Sequence, residues 1–255
     1  MRFSEFTRFL ESLEKTSSRL QMYALLGAVF DKAKAEEVAP IAYLCEGRLL
    51  PAFEGVETGI GERTAALSLA TAMKCSVEDV TEASNRLGDL GLVAEELIPR
   101  AKRSKLSLSD VYQGLLKLAR TGGRGSAEEK QKQLTALLKQ ATPIEGRYII
   151  RLTLGRLRLG VAAPTIIEAF ARREDDAKRA RRTIERAYNI CSDLGLVIAD
   201  DGVGFDPAGD SEGHGLISMR RRAERLGGAL TIEAHAGSGT IIRLRVPHAR
   251  ARSIA

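Results

Sequence analysis

A chain of 255 residues with 44% hydrophobic and 28% charged content has room for one large or two modest domains with a real core. The chain has no continuous apolar run long enough for a membrane span, and its start, MRFSEFTRFLESLEKTSS, carries acids throughout, so neither a transmembrane segment nor a signal peptide is expected. Three scattered cysteines and the lack of tryptophan exclude a disulfide scaffold and weigh against a carbohydrate-binding surface, which leaves a reduced, cytoplasmic protein as the expectation.

The net charge of +6 is unevenly spread. Residues 1–100 carry −5, residues 101–160 carry +9, and the stretches 161–199 and 200–255 carry +1 each. A solvated helical surface usually intersperses its signs, so this concentration points to a polyanionic partner.

In chain order, Phe3, Phe6, Leu10 and Leu13 recur at helical spacing, and Leu20, Met22, Tyr23, Leu26, Val29 and Phe30 continue it after Ser17 and Ser18. Two antiparallel helices are expected, then a third through Val38, Ile41 and Leu44. The stretch EGRLLPAFEGVETGIGE reads as a loop by its glycines and proline. Capping boxes are expected where Ser76 precedes Asp79 and where Ser126 precedes Glu129. Pro143 and Pro164 suit the first turns of two further helices, since a missing N–H costs nothing there. From Asp175 to about Leu194 the pattern is again helical with a charged face. The phrase DLGLV occurs at 89–93 and 193–197; each copy is expected to end a helix, its glycine supplying a left-handed turn.

After Leu196 the character changes. LVIAD reads as a short strand, GLISMRRRAERLGG as a helix ended by glycine, and ALTIEAH and GTIIRLRVP as a hairpin. The expected fold is mainly α: an all-helical domain over 1–197, followed by a small partial α/β unit over 198–255.

The basic segment carries the chemistry. In ARTGGRGSAEEKQKQLTALLKQ, three glycines and Arg124 stand directly before a helix whose first N–H groups are unpaired, a natural seat for a phosphate. The pattern is not a P-loop. On a helical wheel Arg147, Arg151 and Arg158 fall within about 40° of one another, and LGRLRLG adds Arg156 between glycines. Clustered guanidiniums suit a row of phosphates. With few aromatics to stack unpaired bases, duplex backbone is favoured over single strands.

The stretches GIGERTAALSLATA, NRLGDLGLVAEEL, GRGSAEEKQKQLTALLKQATPIEGRYIIRLTLGRLRLGVAAPTIIEAFA and ERAYNICSDLGLV, in this order and spacing, resemble the N-terminal DNA-binding domain of ATP-dependent DNA ligases over residues 1 to about 197. The resemblance implies an all-helical domain that lies over the minor groove of nicked duplex and grips phosphates on both sides of the nick. It implies phosphate contacts by Gly125, Ser126, Lys130, Arg156 and Arg158; Arg124 is added from its glycine loop, and Arg147 and Arg151 from the wheel. The sequence departs from the family's catalytic pattern. Ligation needs a lysine nucleophile in K-x-D-G, yet the one Asp-Gly pair, Asp201-Gly202, has Ala199 at the lysine position. No catalytic residue is assigned and no activity is expected from this chain alone; whether a separate ligase catalytic core is a partner stays open.

The tail resembles the C-terminal half of a histidine-kinase-type ATPase domain, through DDGVG at 200–204, GHGL at 213–216 and GSGT at 237–240. That resemblance implies that Asp200 accepts from the adenine amino group and that Gly202 and Gly204 keep the purine slot open. It also implies that Gly213 and Gly215 form a lid and that Thr240 supports the adenine side. Half of that site is missing. The only asparagines are Asn85 and Asn189, and Asn189 lies too close to Asp200 to be the family's magnesium ligand; no phosphoacceptor histidine is found either. No metal site or required cofactor is expected, and ATP is expected to bind weakly at most. Three readings compete: a module that binds duplex or nicked DNA, which leads; an ATP-binding regulatory protein; and a structural helical domain whose charge is incidental.

Overall fold

The computed structural model describes residues 1–100, 104–157, 159–199, 221, 224, 229–235 and 239–245. Among these residues the chain forms twelve α-helices: α1 (Phe3–Glu14), α2 (Arg19–Lys32), α3 (Ala35–Cys45), α4 (Glu62–Met73), α5 (Val77–Leu87), α6 (Leu90–Leu97), α7 (Leu108–Arg120), α8 (Ser126–Gln140), α9 (Pro143–Thr153), α10 (Ala163–Ala171), α11 (Ala177–Cys191) and α12 (Leu194–Ala199). Helical spacing sets their buried faces. Phe3, Phe6, Leu10 and Leu13 of α1 are at most 1% exposed, so one stripe of that helix points entirely into the core.

Local chemistry sets the ends. Ser76 and Asp79 form the expected reciprocal cap of α5, with bonds of 3.0 and 3.1 Å. Ser107 and Asp110 do the same for α7. Pro143 opens α9, and the Thr142 N–H is taken by the Glu145 carboxylate at 2.7 Å. Ser126 does not cap α8. It is the first helical residue, and Gly125, left-handed at φ +80°, stands at the cap, a conformation glycine tolerates at little cost. Residues 46–61 are irregular apart from a single 3-10 turn, Ala52–Glu54.

The two DLGLV copies start helices rather than ending them. Asp89 caps α6, its carboxylate accepting the Leu92 N–H at 3.1 Å, and Asp193 caps α12 by accepting the Leu196 N–H at 3.0 Å. The left-handed turn falls one residue before each aspartate, at Gly88 (φ +71°) and Ser192 (φ +54°). The glycine inside each motif instead permits close packing. A Cβ on Gly91 would lie 2.8 Å from the Arg147 carbonyl oxygen of α9, and one on Gly195 would run into the Tyr43 ring of α3. Each aspartate also binds the helix it packs against: Asp89 takes Arg151 Nε at 2.9 Å, and Asp193 takes the Tyr43 hydroxyl at 2.6 Å.

The contact of α6 with α9 carries a charge network. Glu14 of α1 accepts from Arg147 at 2.6 Å, from Arg151 at 2.5 Å and from the Tyr148 hydroxyl at 2.9 Å. Glu95 also accepts from Arg147 at 3.2 Å, while the buried Arg147 Nε has no hydrogen-bond partner among the described residues. Both guanidiniums also lie near the Tyr148 ring, 5.3 and 5.9 Å from its centroid. Burial pushes the Asp89 carboxyl up, but the bonds and charge of Arg151 and the N–H groups of Leu92 and Gly91 outweigh it, so the carboxyl sits below its ordinary range.

The strand expected over LVIAD is not formed, because these residues continue α12 to Ala199, with Leu194 and Gly195 buried. The hairpin does form: β1 (Ala229–His235) pairs antiparallel with β2 (Gly239–Arg245), and Thr240 of β2 stands opposite Ala234. Asp200, Gly202, Gly204, Gly213 and Gly215 lie outside the described residues, as does Arg158. No helix among the described residues is long and apolar enough to cross a membrane, and no cluster of three or more His, Cys, Asp or Glu side chains among them could hold a metal ion.

Two stability effects follow. Gly91→Ala forces a methyl against the α9 backbone and should cost about 1–3 kcal/mol in urea unfolding. Ser192→Gly relieves the left-handed strain, offset in part by unfolded-chain entropy, and should stabilise by about 0.5–1 kcal/mol. The Asp89–Arg151 pair is read by pH. Because the folded carboxyl titrates below its unfolded value near 3.9, its contribution is complete above about pH 5 and is lost as pH falls through the folded value. Asp89→Asn should remove that part of the acid dependence of unfolding, and Arg151→Gln should cost roughly 2–4 kcal/mol at neutral pH.

Candidate nucleic-acid interface

Three glycine-bearing turns border elements that are bonded to one another. The first is the segment 55–61 leading into α4, with Gly55 and Gly59 left-handed. The second is the turn before α8, with Gly123 and Gly125 left-handed, and the third follows α9, where Gly155 has φ +63°. Direct bonds tie segment 55–61 and the start of α4 to α8, α9 and the turn after α9. Lys130 of α8 donates to the Thr58 carbonyl at 2.6 Å, the Thr58 hydroxyl donates to the Thr153 carbonyl of α9 at 2.5 Å, and Arg156 is ion-paired with Glu62 at the start of α4.

Between the first and third turns lies an open groove of about 450 Å³, walled by residues 47–52, 55–60 and 152–155. The wall at Leu49 is held from the core by Tyr112, whose hydroxyl donates to the Leu49 carbonyl at 2.8 Å. Burial pushes that phenol up to about 12, so it stays a neutral donor. Arg48 projects at the rim, and Arg63 stands in the first turn of α4; both are exposed and form no ion pair among the described residues. The exposed Arg124 is likewise without a carboxylate partner among them.

The candidate residues therefore divide. Arg124, Gly125 and Ser126 lie at the start of α8, with Arg124 and Gly125 exposed. Arg156 is exposed beside the groove but shared with Glu62. Lys130 faces inward onto segment 55–61 and makes no ion pair among the described residues.

Arg147 and Arg151 are corrected. Their side chains are 14% and 11% exposed and are consumed by Glu14, Glu95 and Asp89, so they face the interior of the helical body rather than a phosphate row. The wheel also fails for Arg158, because α9 ends at Thr153 and the chain turns at Gly155 before reaching it.

Sequence reasoning missed Thr58, Glu62, Arg48 and Arg63. The GIGER stretch that holds Glu62 and Arg63 was visible as a motif, but its neighbours α8 and α9 come from seventy to ninety residues away in the chain. For Thr58 no local signal existed.

The family described as "DNA ligase N terminus" matches residues 2–171. DNA ligase 2 of Thermofilum pendens is 41% identical over 207 residues, covering 76% of this chain and 34% of that protein. DNA ligase 1 of Methanosarcina mazei is 40% identical over 205 residues, covering 79% and 35%. The DNA ligase of Pyrobaculum arsenaticum is 34% identical over 264 residues, covering 99% of this chain, the tail included, and 44% of that protein. The chain thus spans between about a third and under half of the length of these relatives. With the family match covering two-thirds of the chain and its glycine turns and basic helix starts falling inside it, the chain belongs to the DNA ligase N-terminal domain family.

Proposed function

We propose that the chain grips duplex DNA, with preference for nicks, through phosphate contacts, and that it does not itself carry out nucleotidyl transfer. The observation that carries this reading is that segment 55–61 is bonded to α8 and α9, each bordered by a left-handed glycine turn, while Arg48, Arg63 and Arg124 are exposed and form no ion pair among the described residues. Close backbone approach and available guanidiniums are what a phosphate row requires. Arg124, Gly125 and Ser126 would seat one phosphate at the start of α8, and Arg156 with Arg158 would take others beyond α9. Arg48 and Arg63 join them as new candidates. The absence of K-x-D-G from the sequence supports the lack of a self-adenylating lysine, and a separate ligase core is the natural partner for chemistry at the nick. The division we propose is a helical body ending with α12 and a tail beyond it.

Fluorescence anisotropy with nicked and intact duplexes tests this. If about five to eight phosphates are neutralised, the log–log salt slope should be about −4.5 to −7, and Arg124→Gln or Arg156→Gln should each flatten it by about 0.9. Arg147→Gln should leave the slope unchanged, because its charge is spent inside the protein. Glu62→Gln releases Arg156 and should tighten binding by roughly two- to fivefold, the scale of an exposed ion pair. No binding in low salt, or a slope indifferent to Arg124 and Arg156, rejects the assignment.

The second reading, an ATP-binding tail that regulates the helical body, rests on Asp200, Gly202, Gly204, Gly213, Gly215 and Thr240 of the three glycine motifs, and on the hairpin that follows the lid motif. Without the magnesium-holding asparagine the triphosphate charge is poorly offset, although Arg220, Arg221 and Arg222 follow the lid. A dissociation constant no tighter than roughly millimolar is expected by isothermal titration with ATP and Mg²⁺. Micromolar binding abolished by Asp200→Asn would put this reading first.

A further inference from the structure

Thr58 uses every polar atom it has, except its own backbone N–H, to join three segments distant in sequence. Its carbonyl accepts from Lys130 Nζ at 2.6 Å, its hydroxyl donates to the Thr153 carbonyl at 2.5 Å, and the same oxygen accepts the Ile60 N–H at 3.3 Å. The residue is 7% exposed, too deep for its side chain to meet DNA. The carbonyl it holds on α9 lies three residues before Arg156, the partner of Glu62: Thr153 closes α9, Gly155 turns left-handed, and Arg156 follows, its N–H returned to the Arg151 carbonyl at 2.8 Å. On the loop side Gly59 is left-handed at φ +63°, and a Cβ there would stand 3.1 Å from Lys130 Nζ, so the ammonium is seated directly against the loop backbone.

We propose that Thr58 and Lys130 are positioning residues that lock segment 55–61 between α8 and α9, so that the start of α4, the start of α8 and the Arg156 turn present one rigid surface. This rests on the DNA-binding reading above. It also reassigns Lys130: its ammonium is committed to a backbone carbonyl, and its part in binding is to hold the loop. Preorganisation is where the affinity comes from, since a loop that is already ordered loses little entropy when phosphates dock on it.

The test uses the full chain with Thr58→Val, Lys130→Gln, their combination, and Thr58→Ser, which keeps the hydroxyl. Amide exchange of the free protein should accelerate about tenfold at Ile60 and its neighbours in the first two variants, while exchange in the α6 and α9 cores stays slow. Affinity for nicked duplex should fall about tenfold in each, Thr58→Ser should restore most of both readouts, and the double variant should be little weaker than either single one, because both break one unit. Unchanged binding by Thr58→Val, or strictly additive losses with unaltered loop exchange, would overturn the proposal and return Lys130 to direct phosphate contact. Failure of the wild-type chain to bind DNA at all would instead sink the functional reading, a result distinguishable from either.

Discussion

The close approach of α6 and α9 is the constraint from which much of the helical body takes its geometry. Two glycines make it possible: Gly91 lies against the α9 backbone, and Gly146 of α9 leaves room for the Ile98 side chain. Once the helices meet, Arg147 and Arg151 lie where water is scarce, and carboxylates must balance a guanidinium charge there. Glu14, Asp89 and Glu95 do so from two other helices. The network therefore fixes which face of α1, α6 and α9 meets which. A purely apolar contact would specify that less tightly.

That lock is transmitted outward along α9. The helix ends at Thr153 under the hydroxyl of Thr58, and the Arg151 carbonyl, one residue of the network, also accepts the N–H of Arg156. A single helix thus carries arginines of two kinds. Those in its middle are spent on internal carboxylates, and the one just beyond its end faces solvent beside a glycine turn. The +9 excess of residues 101–160 overstates the charge available to a ligand, because part of it is neutralised by acids contributed from the −5 segment. The two uneven segments complement each other inside the fold before either meets a partner.

The paired DLGLV motifs show how one local solution serves twice. Just before each, a left-handed residue ends one helix; within it an aspartate caps the next, and a glycine two residues on admits a neighbour: the α9 backbone in one case, the Tyr43 ring in the other. The aspartate then has one more task, binding Arg151 or the Tyr43 hydroxyl, and burial with Asp193 nearby keeps that phenol protonated by raising it well above the usual range. Helix start, close packing and cross-helix bond are thus encoded in five residues.

What the sequence determined by itself was local. The stripe of α1, the cap at Ser76, the proline starts of α9 and α10, the hairpin and the glycine-rich approach to α8 all depend on neighbours within a few residues, so periodicity and cap chemistry suffice to read them. In α2 the same periodicity holds for Leu26, Val29 and Phe30 but not for Leu20, which is exposed. The family resemblance was legible for the same reason, carried by short stretches in order. Tertiary structure decided the rest. An arginine on a wheel shows its direction but not what it faces, and only the fold places Glu14 and Asp89 against Arg147 and Arg151. LVIAD has the apolar run of a strand, yet Asp193 caps it into a helix once Tyr43 takes its carboxylate. The sequence offers Lys130 as a phosphate contact, and only the fold sets its ammonium against the carbonyl of Thr58, seventy-two residues earlier in the chain. In each case the deciding partner is far away in sequence, and charge, burial and hydrogen-bond satisfaction are properties of the assembled neighbourhood.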